Sequence, residues 1–292
     1  MRVLIFGAGG MLGHKLYQQL NTDLEVFATV TSGFDSISRF KFFEKNSMVE
    51  NIDVRNVESV RFAIERTKPD VVINAVGVVK QRPDSKDVIN SLSINSVFPK
   101  HLAGLSSEYG FRLITFGTDC VFSGDKGNYT ETDCPDARDL YGISKFLGEV
   151  TDHNCLTIRT SIIGRELITS HSLVEWFISN HGKTIKGFVN AIFSGFPTIV
   201  LSKIVSDIIT EHPNLHGVYH VSSAPINKFE LLCLLNRAYE ANVVIEPSED
   251  IAIDRSLNST TFRDATGFSP QSWEQMIDQM AADLTPYNTW KK

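Results

Sequence analysis

The feature of the sequence that most clearly suggests chemistry is a tyrosine and a lysine four residues apart, Tyr141 and Lys145. On a helix, side chains at this spacing lie on the same face, so the phenol and the ammonium can point into one cleft. A free tyrosine has a pKa of about 10 and is a poor acid–base group at neutral pH. A neighbouring ammonium stabilises the phenolate and lowers that pKa. The pair alone is also typical of a solvated helix face, so its position in the chain decides its meaning.

A second polar cluster follows a short apolar segment, Arg112–Phe116, which is predicted to be a strand. Thr118 and Asp119 come just after it, and ligands bind at the carboxyl ends of strands in open parallel sheets. A threonine hydroxyl there can donate a hydrogen bond to a substrate carbonyl as it becomes an alkoxide, although the same residue type often caps a loop. Because the tyrosine–lysine helix follows closely, we predict that Thr118, Tyr141 and Lys145 form one catalytic site.

Three glycines, Gly7, Gly10 and Gly13, recur at three-residue intervals directly after the first apolar segment. Such a turn lets the chain pass tightly from strand to helix and lets a pyrophosphate approach the backbone, because glycine has no Cβ. Met11 and Leu12 lead into the following helix, whose N-terminal amides can bind phosphate. A glycine pattern alone is a weak indication, but its position between a strand and an amphipathic helix is the one that dinucleotide binding requires. The sequence therefore predicts an NAD(P) site.

The end of the second predicted strand bears on the choice between NADP and NAD. In NAD-binding proteins an acid at this point binds the ribose 2′-hydroxyl, whereas this chain has the hydroxyl residues Thr31 and Ser32. Arg39 and Lys41 could approach a 2′-phosphate, or they could be solvated loop charges. The pattern favours NADP slightly and leaves NAD open.

Positioning these residues requires short strands that alternate with helices. The predicted strands are Val3–Phe6, Glu25–Val30, Val71–Asn74, Arg112–Phe116, Leu156–Thr160 and Gly217–Val221. The predicted helices are Leu12–Leu20, Val57–Thr67, Val97–Tyr109, Tyr141–Thr151, Ser202–Thr210, Lys228–Tyr239 and Ser272–Ala282. Buried strands that alternate with amphipathic helices form parallel sheets with right-handed crossovers. We therefore predict an α/β fold, with a Rossmann-type doubly wound parallel sheet and a smaller C-terminal α/β substrate-binding region.

The alternation of strands and helices weakens after about Ile163, where glycine, phenylalanine and serine become frequent. A further strand is predicted beyond that point, at Gly217–Val221. We therefore predict a dinucleotide-binding Rossmann domain over 1–163, to which 200–225 returns. Residues 164–199 and 226–292 are predicted to form the substrate-binding region.

Composition narrows the classes of function. The 292-residue chain has a net charge of −6 and a pI near 5.8, so it lacks the basic balance typical of nucleic-acid-binding proteins. It has no run of 18 apolar residues, and its N-terminus does not resemble a signal peptide, so we expect no membrane partner. The four cysteines show neither metal-ligand nor disulfide-framework spacing. This indicates reduced thiols, no metal and a cytoplasmic location.

These features together resemble the extended short-chain dehydrogenase/reductases over nearly the whole chain. The resemblance implies further cofactor contacts just before the predicted helix Val57–Thr67, at the end of the predicted strand Val71–Asn74, and from the tyrosine–lysine helix. Those contacts are Asp53, Val54, Asn74, Ala75, Val76, Gly77, Tyr141 and Lys145. For Asp53, a role as an acid near a helix N-terminus is an open alternative.

Within that family, the sequence is most similar to the dTDP-4-dehydrorhamnose reductases of the RmlD type. The matching segments begin at Thr118, Arg159, Gly195, Gly217 and Arg255, and they occur in the same order. In that group the threonine, the tyrosine and the lysine are catalytic. The resemblance therefore implies the same catalytic site as the spacing of the residues does.

The residues predicted to hold the substrate are Lys80, Thr118, Asp119, Arg255 and Asn258. The resemblance implies all of them except Lys80. Arg255 could bind a phosphate in a bidentate way or pair with a neighbour on the surface. The segment 77–82 departs from the usual reductases, which leaves the identity of the sugar open. In that segment, Lys80 and Arg82 could contact a diphosphate or could be surface charges.

The expected reaction is NAD(P)H-dependent reduction of a nucleotide-activated 4-keto-6-deoxy sugar, in the biosynthesis of deoxysugars or surface polysaccharides. Related dehydratases carry a glutamate for elimination at the position of Cys120, so the elimination apparatus is incomplete here. Two alternatives stay open. One is a nucleotide-sugar epimerase, and the other is a non-catalytic NADP-binding regulatory subunit similar to the methionine adenosyltransferase beta subunit. We expect a monomer or a homodimer. Some similar reductases use Mg²⁺, but no cluster of carboxylates in this sequence requires it.

Overall fold

A sheet of seven parallel strands is the centre of the fold. The computed structural model describes residues 1–80 and 83–291. In sequence order, the strands of all sheets are β1 (Arg2–Phe6), β2 (Glu25–Thr29), β3 (Met48–Val49), β4 (Val71–Asn74), β5 (Arg112–Phe116), β6 (Cys155–Arg159), β7 (Ile162–Ile163), β8 (Thr184–Phe193), β9 (Phe196–Pro197), β10 (Gly217–His220), β11 (Ile226–Asn227) and β12 (Val244–Asp254). Seven of these strands form the central sheet. The order in the sheet is β3-β2-β1-β4-β5-β6-β10, and every adjacent pair is parallel. The predicted Rossmann-type fold class is therefore confirmed.

Helices cover both faces of this sheet. They are α1 (Gly13–Leu20), α2 (Val57–Thr67), α3 (Val88–Leu92), α4 (Phe98–Tyr109), α5 (Leu140–Leu147), α6 (Leu173–Ile178), α7 (Thr198–Thr210), α8 (Lys228–Tyr239), α9 (Thr260–Thr266), α10 (Trp273–Ala281) and α11 (Tyr287–Trp290). In β1, Val3 and Ile5 belong to the apolar cluster that includes α1 and α7, whereas Leu4 and Phe6 belong to the cluster with α2 and α4. All four side chains are fully buried, and burial of each stabilises the fold by about 1.5–3 kcal/mol.

Local sequence signals explain where the helices near the site begin and end. The Asn56 side chain caps α2 by accepting a hydrogen bond from the amide of Glu58, at 3.0 Å. Gly110 ends α4 with a φ of 76°, a conformation that favours glycine. The predicted end of the next helix at Thr151 is wrong, because α5 ends at Leu147. Gly148 follows, and it lies so close to the main chain that a Cβ there would overlap the oxygen of Asn95.

A second, three-stranded sheet lies in the C-terminal half. β8 is its central strand, and it pairs in parallel with β12 and antiparallel with β11. The sequence analysis predicted helix α8, which packs on this sheet, but it did not predict β8 or β12. β10 pairs with β6 at the edge of the large sheet.

Within 1–80 and 83–291, no helix is both long enough and apolar enough to cross a bilayer.

Residues 283–287 contact helix α1 on the side that faces away from the sheet. His14 Nε2 lies 2.7 Å from the Tyr287 hydroxyl, and Lys15 Nζ lies 2.5 Å from a carboxylate oxygen of Asp283. The Lys15 and Asp283 side chains are only 6% and 11% exposed, so this ion pair is screened little by solvent. Burial lowers the pKa of His14 to about 3, so the ring is neutral. Helix α1 is therefore held at both its sheet face and its outer face.

Candidate active site

The glycine turn between β1 and α1 is a cradle that side chains would fill. Gly7 has a φ of 94°, and a Cβ there would lie 2.9 Å from Val76 Cγ2 and 3.1 Å from the main-chain oxygen of Ala75. A Cβ on Gly13 would overlap the oxygen of Gly7. No side chain caps the first turn of α1, and that turn contains no acidic residue. The turn and the N-terminal amides of α1 thus fit the pyrophosphate of a dinucleotide.

The segment after β4 lies beside this turn, because β4 pairs with β1. Asn74 is buried, and its side-chain oxygen accepts a hydrogen bond from the amide of Val76, at 3.0 Å. Gly77 follows, and the next residue, Val78, hydrogen-bonds with the Asn95 side chain through both its amide and its oxygen. Asn95 belongs to a π-helical segment between α3 and α4, a feature that often occurs at functional sites. The sequence analysis did not identify Asn95.

The residues predicted to meet the adenosine end are spread over the other edge of the sheet. Asp53 and Val54 follow β3, and the Asp53 carboxylate forms an ion pair with Arg55 at 2.8 Å. The Arg39 guanidinium lies 4.8 Å from the ring centre of Phe40. Lys41 lines a groove beside α1. Contacts of Asp53 and Val54 with adenosine, and the slight preference for NADP, stay predictions.

Tyr141 and Lys145 lie one turn apart on α5, which packs against the segment that follows β5. The Lys145 Nζ donates a hydrogen bond to the main-chain oxygen of Phe116, at 2.6 Å. The Asp139 side chain caps the helix by accepting from the amide of Gly142, at 3.0 Å. The tyrosine–lysine pair is therefore on a short, capped helix at the carboxyl end of β5.

Thr118 comes close to Tyr141 because α5 packs directly on the segment that carries the threonine. A Cβ on Gly142 would overlap the main-chain oxygen of Cys120, so glycine permits this close approach. The Thr118 hydroxyl accepts a hydrogen bond from the amide of Cys120 at 3.1 Å and donates one to the Asp119 carboxylate at 3.1 Å. A hydrogen bond with Thr118 also acts on Tyr141 and lowers its pKa. The structure brings the three predicted catalytic residues together, while their roles stay predictions.

The charge states of this cluster differ from the expectation in one respect. Burial raises the pKa of Tyr141, the charge of Cys120 raises it further, and the hydrogen bond with Thr118 opposes both. The sequence analysis expected Lys145 to lower this pKa, but burial outweighs any such effect. Burial lowers the pKa of Lys145 itself to about 8, and the charge of Glu149 opposes that shift. At neutral pH the phenol is therefore protonated and the lysine is an ammonium, which suits a proton donor beside a cation.

Cations from two distant parts of the chain lie near Cys120. Arg255 Nε donates to the main-chain oxygen of Phe122 at 2.8 Å, and its Nη1 lies 3.9 Å from Cys120 Sγ. Lys80 pairs with Asp139 at 2.9 Å, and its Nζ lies 5.6 Å from the ring centre of Tyr141. Burial raises the pKa of Cys120 to about 11, while the charges of Lys80 and Arg255 act to lower it. Among residues 1–80 and 83–291, the partners found for Arg255 belong to the segment after β5, and its contact with a phosphate stays a prediction.

The remaining substrate residues of the prediction have different surroundings. Asp119 is buried beside Thr118, and burial raises the pKa of its carboxyl. Asn258 uses its side-chain oxygen locally, since it accepts from the amide of Thr260 at 2.9 Å. Arg82 lies outside the described residues. Lys228 was not predicted, yet its charge acts on Asp119 and its Nζ lies 4.2 Å from the ring centre of Phe193.

Glu149, four residues after Lys145, forms a buried ion pair with Arg159. Arg159 on β6 contacts both carboxylate oxygens of Glu149, at 2.6 and 2.7 Å. Nη1 of the same arginine lies 3.2 Å from His220 Nε2, and His220 Nδ1 lies 2.9 Å from the main-chain oxygen of Tyr129. The partners of His220 come from segments that are distant in the sequence. Neither His220 nor Glu149 was predicted.

The sequence of this chain is similar to a known protein family and to named proteins. The sequence profile of the family described as RmlD substrate binding domain matches residues 1–285. The chain is 26% identical to the dTDP-4-dehydrorhamnose reductase of Aggregatibacter actinomycetemcomitans, over 96% of this chain and 98% of that protein. It is also 26% identical to the methionine adenosyltransferase 2 subunit beta of Mus musculus, over 82% of this chain and 72% of that protein.

Solved structures show the same fold. The dTDP-4-dehydrorhamnose reductase from Bacillus anthracis, solved in complex with NADP, superposes with a TM-score of 0.78. The superposition covers 96% of this chain and 98% of that one, at 22% sequence identity. At that identity the likeness shows that the two chains share their fold.

Proposed function

Since this chain belongs to the RmlD substrate-binding-domain family, we propose that it is an NAD(P)H-dependent reductase of a nucleotide-activated 4-keto-6-deoxy sugar. The observation that carries the proposal is the cluster of Thr118, Tyr141 and Lys145, with the phenol protonated beside an ammonium. The relative from Aggregatibacter actinomycetemcomitans, which carries the name dTDP-4-dehydrorhamnose reductase, supports the choice of substrate. The biological setting would be the synthesis of deoxysugars or surface polysaccharides.

The residues that would hold the cofactor follow from the cradle. Gly7, Gly10 and Gly13 leave room for the pyrophosphate, and the amides at the start of α1, after Met11 and Leu12, would bind it. The segment from Asn74 to Gly77 would pass beside the nicotinamide half. When bound, NADPH or NADH supplies the hydride that reduces the sugar.

The roles of the chain's own groups follow from their charge states. The Tyr141 phenol donates its proton to the C4 oxygen of the sugar as that oxygen becomes an alkoxide. When the sugar is bound, the Thr118 hydroxyl would turn from Asp119 and donate its one hydrogen bond to the same oxygen, which stabilises the developing charge. The Lys145 ammonium, fixed by the oxygen of Phe116, stabilises the phenolate that remains. Cys120 lies where a dehydratase needs a carboxylate, so reduction is favoured over elimination.

The substrate's diphosphate would meet the cations around Cys120. Arg255 and Lys80 are both anchored there, by Phe122 and by Asp139. A guanidinium suits phosphate oxygens because its N–H groups form a planar fork. Asp119 and Asn258 are proposed to contact the sugar or the nucleotide.

The proposal extends to the organisation and location of the protein. Residues 1–163, with 200–225, would bind the cofactor, and residues 164–199 and 226–292 would bind the substrate. The protein would work in the cytoplasm as a monomer or a homodimer, with a small nucleotide sugar as its partner. Gel filtration with light scattering would decide between the two oligomeric states.

The test is consumption of NADPH and NADH, followed by absorbance, with dTDP- and UDP-linked 4-keto-6-deoxy sugars. We expect turnover with at least one sugar and its loss in Tyr141→Phe. A Tyr141→Phe protein that keeps near wild-type turnover would refute the assignment of the proton donor. Absence of turnover with every sugar, with cofactor binding intact, would refute the reductase.

A second candidate function is supported by the similarity to the methionine adenosyltransferase 2 subunit beta. In that case the chain would bind NADP and regulate a larger enzyme without turnover. Co-purification of a methionine adenosyltransferase with the tagged chain, together with no turnover on any nucleotide sugar, would favour it. Turnover lost in Tyr141→Phe would exclude it as the sole function.

A further inference from the structure

The buried pair of Glu149 and Arg159 has no part in the chemistry described so far. The two side chains are 7% and 5% exposed, and the arginine holds both carboxylate oxygens in a bidentate arrangement. His220 contacts the far side of the guanidinium. Removing both charges from water costs free energy that can exceed their mutual attraction, so a buried ion pair need not stabilise the fold. Its position suggests another role.

The pair is built into the loop that contacts Lys145. The main-chain oxygen of Phe116 accepts the hydrogen bond from Lys145. At the next residue, Gly117, a Cβ would lie 2.9 Å from Arg159 Cγ and 3.3 Å from Glu149 Oε1. Gly117, Lys145 and Glu149 also line the same small pocket. The lysine and the carboxylate are therefore neighbours on two sides of this loop.

Charged groups from several elements contact Glu149 or lie on a segment that packs against α5. The Lys100 Nζ on α4 donates to the main-chain oxygen of Glu149, Arg159 lies on β6, and Asp119 follows β5. Tyr141 lies on the same helix as the lysine. Of these, Glu149 is the group whose charge acts on the ammonium, and it raises the pKa of Lys145 against the larger effect of burial. A carboxylate fixed at this place favours the charged form of the lysine.

We propose that Glu149 is a positioning residue for the catalytic site: held by Arg159, its carboxylate keeps Lys145 in the ammonium form. The importance of that form for turnover rests on the proposed reductase function, whereas the effect of Glu149 on Lys145 does not. The competing explanation is that the pair only joins β6 to the end of α5.

The chain contains a matched control for that explanation. Arg165 and Glu175 form a second buried pair, with Nε 2.7 Å from Oε1 and side chains 9% and 6% exposed. Both pairs join an arginine to a glutamate ten residues away. Glu175 also pairs with Lys291, and its charge does not act on Lys145. Glu175→Gln therefore removes the same charge from the same kind of pair without touching the site.

The decisive measurement is the pH titration of Lys145 itself, followed by the ¹³Cε resonance of labelled lysine and assigned by its loss in Lys145→Met. In Glu149→Gln we expect the pKa of Lys145 to fall by about one unit, a tenfold change in the acid dissociation constant. In Glu175→Gln we expect the wild-type midpoint, and Glu149→Asp, which keeps the charge, should restore most of it. A folded Glu149→Gln protein whose Lys145 titrates at the wild-type pH overturns the proposal.

Two further arms keep the test decisive. If Glu149→Gln does not fold, the double variant Glu149→Gln with Arg159→Met leaves no unpaired buried charge. Its Lys145 midpoint must still fall, although by less than in Glu149→Gln, because the positive charge of Arg159 is removed as well. In turnover assays, the fall of the rate at high pH should move down by the same amount in Glu149→Gln only. A wild-type protein without turnover counts against the reductase, and the resonance titration still decides the role of Glu149.

Discussion

The close approach of Gly13 to Gly7 allows a quantitative prediction for Gly13→Ala. The new Cβ would lie 2.8 Å from the carbonyl carbon of Gly7, whereas non-bonded carbons pack at about 3.5–4.0 Å. The carbonyl oxygen of Gly7 lies closer still to that Cβ, so the turn must open by more than roughly 1 Å, and overpacking of this kind costs about 1–3 kcal/mol. Since about 1.4 kcal/mol changes an equilibrium constant tenfold, the cofactor should bind between about 5-fold and 150-fold more weakly if that cost falls on the cradle.

Two measurements on the same variant test this reasoning. Fluorescence titration with NADPH gives the Kd, and urea unfolding followed by circular dichroism gives the free energy of unfolding. The control is Gly104→Ala, because Gly104 lies in the interior of α4 and a Cβ there would meet nothing within 4 Å. That control should gain about 0.5–1 kcal/mol of stability and keep the wild-type Kd. A Gly13→Ala protein with wild-type Kd and wild-type stability would refute the account of the turn.

Three further predictions concern the reaction. Tyr141→Phe should lower kcat at least about 100-fold, because it removes the proton donor, while the Kd of NADPH measured by fluorescence stays unchanged; a drop below tenfold would contradict the role. Burial lowers the pKa of Lys145 to about 8, so the ammonium is present below that pH. The rate of reduction should therefore fall as the pH rises through about 8. A rate that stays constant to pH 10 in steady-state assays would count against this role of the ammonium. Arg255→Lys keeps the charge but loses the planar fork, so KM for the nucleotide sugar should rise about tenfold with kcat nearly constant, and an unchanged KM would remove Arg255 from the substrate site.

The N-terminal half of the fold could be predicted well from the sequence. The observed bounds of α2, β4 and β5 coincide with those predicted. β4 and β5 are buried or nearly so along their length, and their central residues Val72, Ile73, Leu113 and Ile114 are apolar. Helix α2 has its own cap and an apolar face. In these elements the local pattern and the tertiary environment agree.

The second sheet could not be predicted, because its strands do not have the sequence pattern of strands. β8 contains Gly187, and β12 contains Pro247 together with several acids. Glycine and proline both argue against a strand when the chain is considered locally. β12 tolerates its proline because it is an edge strand, paired on one side with β8. The glycine is needed because a Cβ at 187 would lie 2.9 Å from the backbone of Phe229.

The candidate site divides in the same way. Tyr141 and Lys145 were identifiable because helical spacing alone places them on one face. Asn95 and Glu149 were not, because their partners are 17 residues and 10 residues away and come from other elements. The sign of the Tyr141 pKa shift was also out of reach, since it depends on burial, which only the assembled structure determines.

The contacts of helix α1 with Asp283 and Tyr287 have a consequence for the order in which the chain is made and folds. His14 and Tyr287 are 273 residues apart, and Lys15 finds its carboxylate at Asp283. During translation, the helix that follows the glycine turn is made before its outer partners at Asp283 and Tyr287. The charge of Lys15 therefore stays without this carboxylate until residue 283 has emerged. Contacts this distant in sequence slow folding, so the cofactor cradle should be among the last parts of the molecule to become rigid.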